Sequence, residues 1–249
     1  MIASARRARR AEEEESYFIS MADMMVGLVF IFIILLIYFA MQYQQKSKAL
    51  SDAGEARAQM LNDIRDDIRR RDPRLQVTVD TRTGVLRLPA EILFAKGATE
   101  LSVQGSDAVV TVASSLAAVL PCYTYPRRKE NCKPTSHGLD AIFIEGHTDS
   151  DPLQGTGVIK GNLELSALRA TNTFRKMVVS VDGLNSLGDR DGRPVLSVSG
   201  YGEARPINRG TDEISKAINR RIDLRFLMET PRDEDFAQIL TSLAGAEAK

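Results

Sequence analysis

"AIFIEGHTDSDPLQGTGVIKGNLELSALRA", residues 141–170, changes character twice. "AIFIEG" is a short apolar run and predicts a strand. "NLELSALRATNTFRKMVV", from residue 162, repeats its apolar positions at helical spacing and opens on an Asn that can cap the first turn. Between them runs "GHTDSDPLQGTGVIKGN", a loop that leaves the strand and enters the helix carrying His147, Thr148, Asp149 and Asp151. Arg169 follows on the helix. An acid beside an arginine at such a junction can hold a zwitterion, carboxylate on guanidinium and ammonium on carboxylate.

On either side the same two periodicities continue. "LQVTVD" (75–80) and "GVLRLP" (84–89) alternate as strands around the turn "TRTG". "SVQGSDAVVTVASSLAAVL" (102–120) predicts an amphipathic helix that stops before Pro121. "VLSVSGYG" and "RRIDLRFLM" predict further strands, and "DEDFAQILTSLAG" a helical tail. Strands alternating with two main helices imply an α+β domain, a sandwich with both helices on one face of a mixed sheet.

Catalysis finds little support. Two histidines, His137 and His147, and no reactive-cysteine signature do not assemble a nucleophile–base pair, so no enzyme is expected. His147 and Asp149, two apart without a third ligand, do not make a metal site, and no resident cofactor is expected. With 33 basic and 33 acidic residues, the chain lacks the basic footprint of a nucleic-acid binder.

The N-terminal region is of another kind. Met24 to Met41 holds no charge, and Ile19 to Tyr43 contains one ionisable acid, Asp23. About 20 residues suffice to cross a bilayer. A signal peptide would carry a shorter apolar run, about 7–15 residues, and a small-residue cleavage site; this run ends instead in "YFAMQYQQK". Arg6, Arg7, Arg9 and Arg10 place the N-terminus in the cytoplasm, although Lys46 and Lys48 beyond the span weaken that vote. The expected parts are a cytoplasmic tail (1–18), a transmembrane helix (19–43), a helical linker (44–73), a folded domain (74–230) and a helical tail (231–249).

Within the linker, Leu61, Ile64 and Ile68 share a helical face that could pair with a second copy; the other reading is a solvated connector. Cys122 and Cys132 bracket "CYTYPRRKENC", which can close into a disulfide in an oxidising compartment or hold two unrelated thiols. Asp23 has two readings as well. It either caps the helix at headgroup level, where a negative charge is favoured, or sits about one turn inside and is functional.

Four ordered motifs, "FIEGHTDSD…NLELSALRA…VSGYGEARPI…AINRRIDLRF", resemble the OmpA-like peptidoglycan-binding domain over about residues 75–230. The resemblance implies that Asp149, with Thr148 beside it, and Arg169 grip the diaminopimelate of the peptide stem. It implies that Asn162, Asn219, Arg220 and Arg221 line or support the same pocket; alternatively Asn162 only caps its helix and one arginine only braces the fold. The interval from Asp149 to Arg169 is longer than in the short OmpA form and is similar to that of MotB-type stator subunits.

"SMADMMVGLVFIFIILLI" likewise resembles the single span of MotB-type subunits, and "MADMMVGLVFIF" is closer to the ZorB subunits of the Zorya anti-phage system than to flagellar MotB. That resemblance implies a homodimer in the bacterial inner membrane, with periplasmic domains on peptidoglycan and a ZorA-like multi-span partner. Asp23 would then carry H+ or Na+. A flagellar stator subunit and a passive membrane-to-wall tether are the alternatives; energisers of ExbD or TolR type lack such a wall-binding domain.

Overall fold

The computed structural model describes residues 2–126, 130, 132, 135, 137–153 and 159–230, with side chains from residue 21 onward. The tail expected from residue 231, residues 154–158 of the long loop and all three basic residues between the cysteines lie outside the described residues. The chain divides into two compact units, Met1–Leu50 and Ser51–Lys249. Helix α1, Ile2–Arg71, contributes residues to each.

In the first unit every side chain from Met21 to Met41 is exposed on the chain taken by itself. This stretch is long and apolar enough to cross a membrane. So large an unbroken apolar surface is not left to water and marks a lipid or protein contact. A second helix that is apolar enough by composition, Val103–Cys122, is instead part-buried in the folded unit.

The second unit is built on five strands: β1 (Thr78–Asp80), β2 (Val85–Pro89), β3 (Leu139–His147), β4 (Leu196–Gly200) and β5 (Arg221–Met228). Their order is β1-β2-β5-β3-β4. β3 and β4 run parallel, and the other pairs are antiparallel, so the sheet is mixed as expected. Among the described residues four α-helices join α1: α2 (Ala90–Leu93), α3 (Val103–Val119), α4 (Asn162–Ser180) and α5 (Glu213–Asn219).

Alternation divides the sheet into two faces. Leu86, Leu88, Ile142, Ile144, Ile222, Leu224 and Phe226 are buried in one core with Val109, Val112 and Leu116 of α3 and Ala170 and Met177 of α4. The intervening positions Arg87, Glu145, Asp223 and Arg225 form a charged layer on the other face. α3 begins where Ser102 accepts the Gly105 N–H at 2.9 Å, satisfying a first-turn donor.

Two expectations are corrected. Met60, Leu61, Ile64 and Ile68 are fully buried in the domain core. The linker stripe is therefore covered by the chain's own sheet domain rather than by water or a second copy. Arg57 adds a hydrogen bond to the Arg82 carbonyl in the β1–β2 turn at 3.0 Å. Helix α4 is capped by the extended backbone of Gly161, so Asn162 is the first helical residue and not the cap.

Candidate binding cavity at the end of the sheet

Strand register decides which loops meet. His147, the last residue of β3, pairs with Arg221, the first of β5, and Arg221 also pairs with Pro89, the last of β2. Residues leaving β3 and β2 therefore lie beside those entering β5. Gly146 and Gly200 end the parallel pair side by side. A Cβ at Gly146 would overlap the Ser166 carbonyl, and one at Gly200 would stand 2.7 Å from Ala167. This close approach brings α4, and with it Arg169, against the loop that carries Asp149.

The result is a cavity of about 630 Å³ lined by Thr148, Asp149, Arg169 and Arg220, by Glu91 and Glu213 on α2 and α5, and by the Phe94–Gly97 loop. Arg169 is 5% exposed. Its Nε donates to the Ala98 carbonyl at 2.8 Å and Nη2 to that of Ala95 at 3.3 Å, which leaves Nη1 uncommitted to that loop. Its guanidinium lies over the Phe94 ring, 5.0 Å from the centroid. Burial lowers the Arg169 pKa, the charge of Asp149 opposes that fall, and the charge of Arg220 adds to it.

Asp149 pairs with Arg220 rather than with Arg169. Its Oδ2 accepts from Arg220 Nη1 at 2.8 Å, and its Oδ1 from the Asp151 backbone at 3.2 Å. Arg220 Nη2 also donates to Glu91 and to Glu213. Burial works against the Arg220 charge, but bonds to Glu91, Asp149 and Glu213 outweigh it and raise its pKa.

The other expected residues brace this corner. Thr148 is buried, and its N–H donates to the Gly202 carbonyl at 2.9 Å. Asn162 Nδ2 donates to the Asp151 carbonyl at 2.9 Å, tying the long loop to α4. Two residues expected at the pocket do not line it. Asn219 accepts from the N–H groups of Ile207 and Asn208, at 2.8 and 3.1 Å. Arg221 points to the opposite face of the sheet, where Nε donates to Asp223 at 3.0 Å and Nη2 to the Arg205 carbonyl at 3.1 Å. Sequence reading missed Glu91, Glu213 and Lys96, none of which falls in a motif.

On that opposite face Arg225 grips Glu145 through two 2.8 Å bonds, and Arg87 grips Asp223 at 2.9 and 3.2 Å. His147 is 1% exposed, and among the described residues neither ring nitrogen has a hydrogen-bond partner. Nε2 stands 3.7 Å from Glu145 and 3.9 Å from Asp223, and the ring stacks on Tyr201. Glu145, His147 and Asp223 are close enough to share a cation, within 4.8 Å. Both carboxylates are already filled by arginines, however, and a dication would sit beside three buried or half-buried guanidinium charges, which disfavours it.

Elsewhere, Cys122 and Cys132 are joined in a disulfide with Cα atoms 5.5 Å apart. A smaller cavity of about 300 Å³ borders the 189–193 turn. There Arg193 already pairs with Asp189 and Asp191. In the first unit Asp23 is exposed between Met21 and Met24 at the head of the apolar run.

No protein-family model matches the chain, and no curated protein matches it. Solved structures do. A MotB-like protein from Desulfovibrio vulgaris is 26% identical, with a TM-score of 0.50 over 73% of this chain and 96% of that one. The periplasmic domain of Helicobacter pylori MotB is 20% identical, with a TM-score of 0.42 over 65% and 85%. The cell-wall anchor of the type VI secretion system of Pseudomonas aeruginosa is 16% identical, with a TM-score of 0.45 over 70% and 97%. This chain shares the mixed-sheet fold of the MotB-like protein, preceded by an apolar helix.

Proposed function

We propose that the chain is a membrane-held cell-wall anchor whose cavity takes the zwitterionic centre of a peptidoglycan stem peptide. One observation carries this reading: Asp149 and Arg169, read from separate motifs, face one cavity of about 630 Å³. A ligand carboxylate would go to Arg169 Nη1 and an ammonium to Asp149. Similarity to a MotB-like protein supports the assignment.

The full chain in nanodiscs should sediment with purified sacculi. Charge-assisted hydrogen bonds contribute roughly 1.5–3 kcal/mol each, so Asp149→Ala and Arg169→Ala should each weaken binding by about tenfold or more. If both variants sediment like wild type, the site is elsewhere.

The anchor serves, in this reading, as the stationary B subunit of an ion-driven motor in the bacterial inner membrane, paired with a ZorA-like subunit in anti-phage defence. Asp23 supports it: a carboxylate at the head of an apolar span is costly and is a functional suspect by default. The alternative, a passive tether, gives Asp23 no role, since α1 starts at Ile2 and Asp23 lies within the helix rather than at its cap. Asp23→Asn keeps the size but cannot cycle a proton, and it should abolish protection in phage plaque counts while the protein still inserts and assembles. Full protection by the Asn variant would favour the tether.

A further inference from the structure

We propose that Arg220 is the cavity's own stand-in for the ligand's ammonium, and that Glu91 and Glu213 receive it when a ligand takes Asp149. This rests on reading the cavity as a zwitterion site. Asp149 already has a cation beside it. Both its oxygens are engaged, Oδ1 by the Asp151 backbone and Oδ2 by Arg220. An ammonium arriving at this carboxylate meets a guanidinium already in place.

The same guanidinium has somewhere else to go. Its Nη2 is already bonded to Glu91 and Glu213, whose side chains are 57% and 75% exposed, whereas Asp149 is 14% exposed. Three carboxylates therefore share one guanidinium, so Arg220 keeps two of them when it leaves Asp149. Release needs no backbone change. The Arg220 carbonyl accepts from the Ala90 N–H at 3.1 Å, and its N–H donates to the Lys216 carbonyl at 3.0 Å, so the main chain is fixed and the side chain alone rotates. Arg220 is thus a competitor at Asp149, and the two glutamates lower the cost of displacing it.

This role differs in sign from that of a ligand contact. Removing a contact weakens binding; removing a competitor strengthens it. Displacing one partly exposed ion pair corresponds to about a fivefold change in affinity. Sedimentation of the nanodisc-held chain with sacculi should therefore show Arg220→Gln binding about fivefold tighter than wild type. Arg220→Lys, which keeps the charge but loses the two-armed grip, should fall between them. Glu91→Gln with Glu213→Gln should weaken binding about threefold to fivefold in the wild-type background, by the same ion-pair magnitude. In the Arg220→Gln background the glutamate changes should have no further effect, because they would then have nothing to receive.

Arg220→Gln binding that is equal to or weaker than wild type overturns the inference. So does a glutamate effect that persists in the Arg220→Gln background, since the glutamates would then touch the ligand directly. Either result leaves the anchoring function standing if wild type sediments. A wild-type chain that does not sediment overturns the anchoring reading and this inference together.

Discussion

Asp149 and Asp223 are both held by arginines near the start of β5, yet their surroundings differ in every respect that decides energy. Asp223 is 1% exposed and takes three guanidinium hydrogen bonds, from Arg87 and Arg221. Arg221 also donates to the Asn219 and Arg205 carbonyls, so the cluster is closed. Asp149 stands on a loop that lines the cavity, where one arginine is divided among three carboxylates and another leaves Nη1 uncommitted to the Ala95–Ala98 loop. Burial makes the first cluster a brace that cannot lose a member. Partial exposure makes the second exchangeable, which a binding site requires.

The sharpest way to break this contrast is to delete one carboxylate from each cluster. Removing one partner of a buried ion pair costs about 3–5 kcal/mol because the other charge stays buried and unmatched. Asp223→Ala should destabilise the folded unit by about that much, read as a lower urea midpoint, since Arg87 and Arg221 both lose their partner. Asp149→Ala should cost only about 1 kcal/mol or less, as Arg220 retains Glu91 and Glu213 in water. If the two variants melt alike, the cavity cluster is a structural brace and its exchange of partners is ruled out.

How much of this was legible in the sequence follows the same division. The strands and the two long helices declare themselves by periodicity. Asp149 and Arg169 are legible because one strand–loop–helix segment carries both. Glu91 and Glu213 are not, because they reach Arg220 through the β2–β5 pairing and a seven-residue helix, and neither register nor so short a helix shows in composition. The stripe Leu61, Ile64 and Ile68 was visible as apolar, but periodicity says which face is buried and not what covers it. Asn219 and Arg221 sit in the same "NRR" run as Arg220, yet strand alternation sends Arg221 to the far face and leaves Arg220 at the cavity. The cap of α4 falls one residue before the expected Asn162, because extended Gly161 takes the cap position without a side-chain bond.

The smallest effect separates the clusters by pH. Glu145, Asp223, Arg221 and the Tyr201 ring face His147. Burial lowers the His147 pKa below its ordinary value, with nearby Glu145 and Asp223 opposing that and Arg221 adding to it. The folded chain therefore takes up this proton later than the unfolded chain. Stability owed to the neutral imidazole is complete above the ordinary value of 6.5 and is lost as pH falls toward the lower folded value. Burial alone would raise the Glu145 pKa, but His147 and the two-armed Arg225 outweigh it and hold it at about 2, so its own loss begins only below its ordinary 4.5. Acid below pH 6.5 is thus felt through His147 before it is felt through Glu145. Urea midpoints of the detergent-held chain should fall more steeply with acid in wild type than in His147→Gln. The difference between the two slopes should not exceed about 1.4 kcal/mol per pH unit, the value for one proton. Sacculi binding by the two should keep the same dependence on Asp149, because the cavity lies on the other side of the sheet end. Parallel slopes would mean that acid acts elsewhere, and that the far-face cluster is closed to protons as well as to ligands.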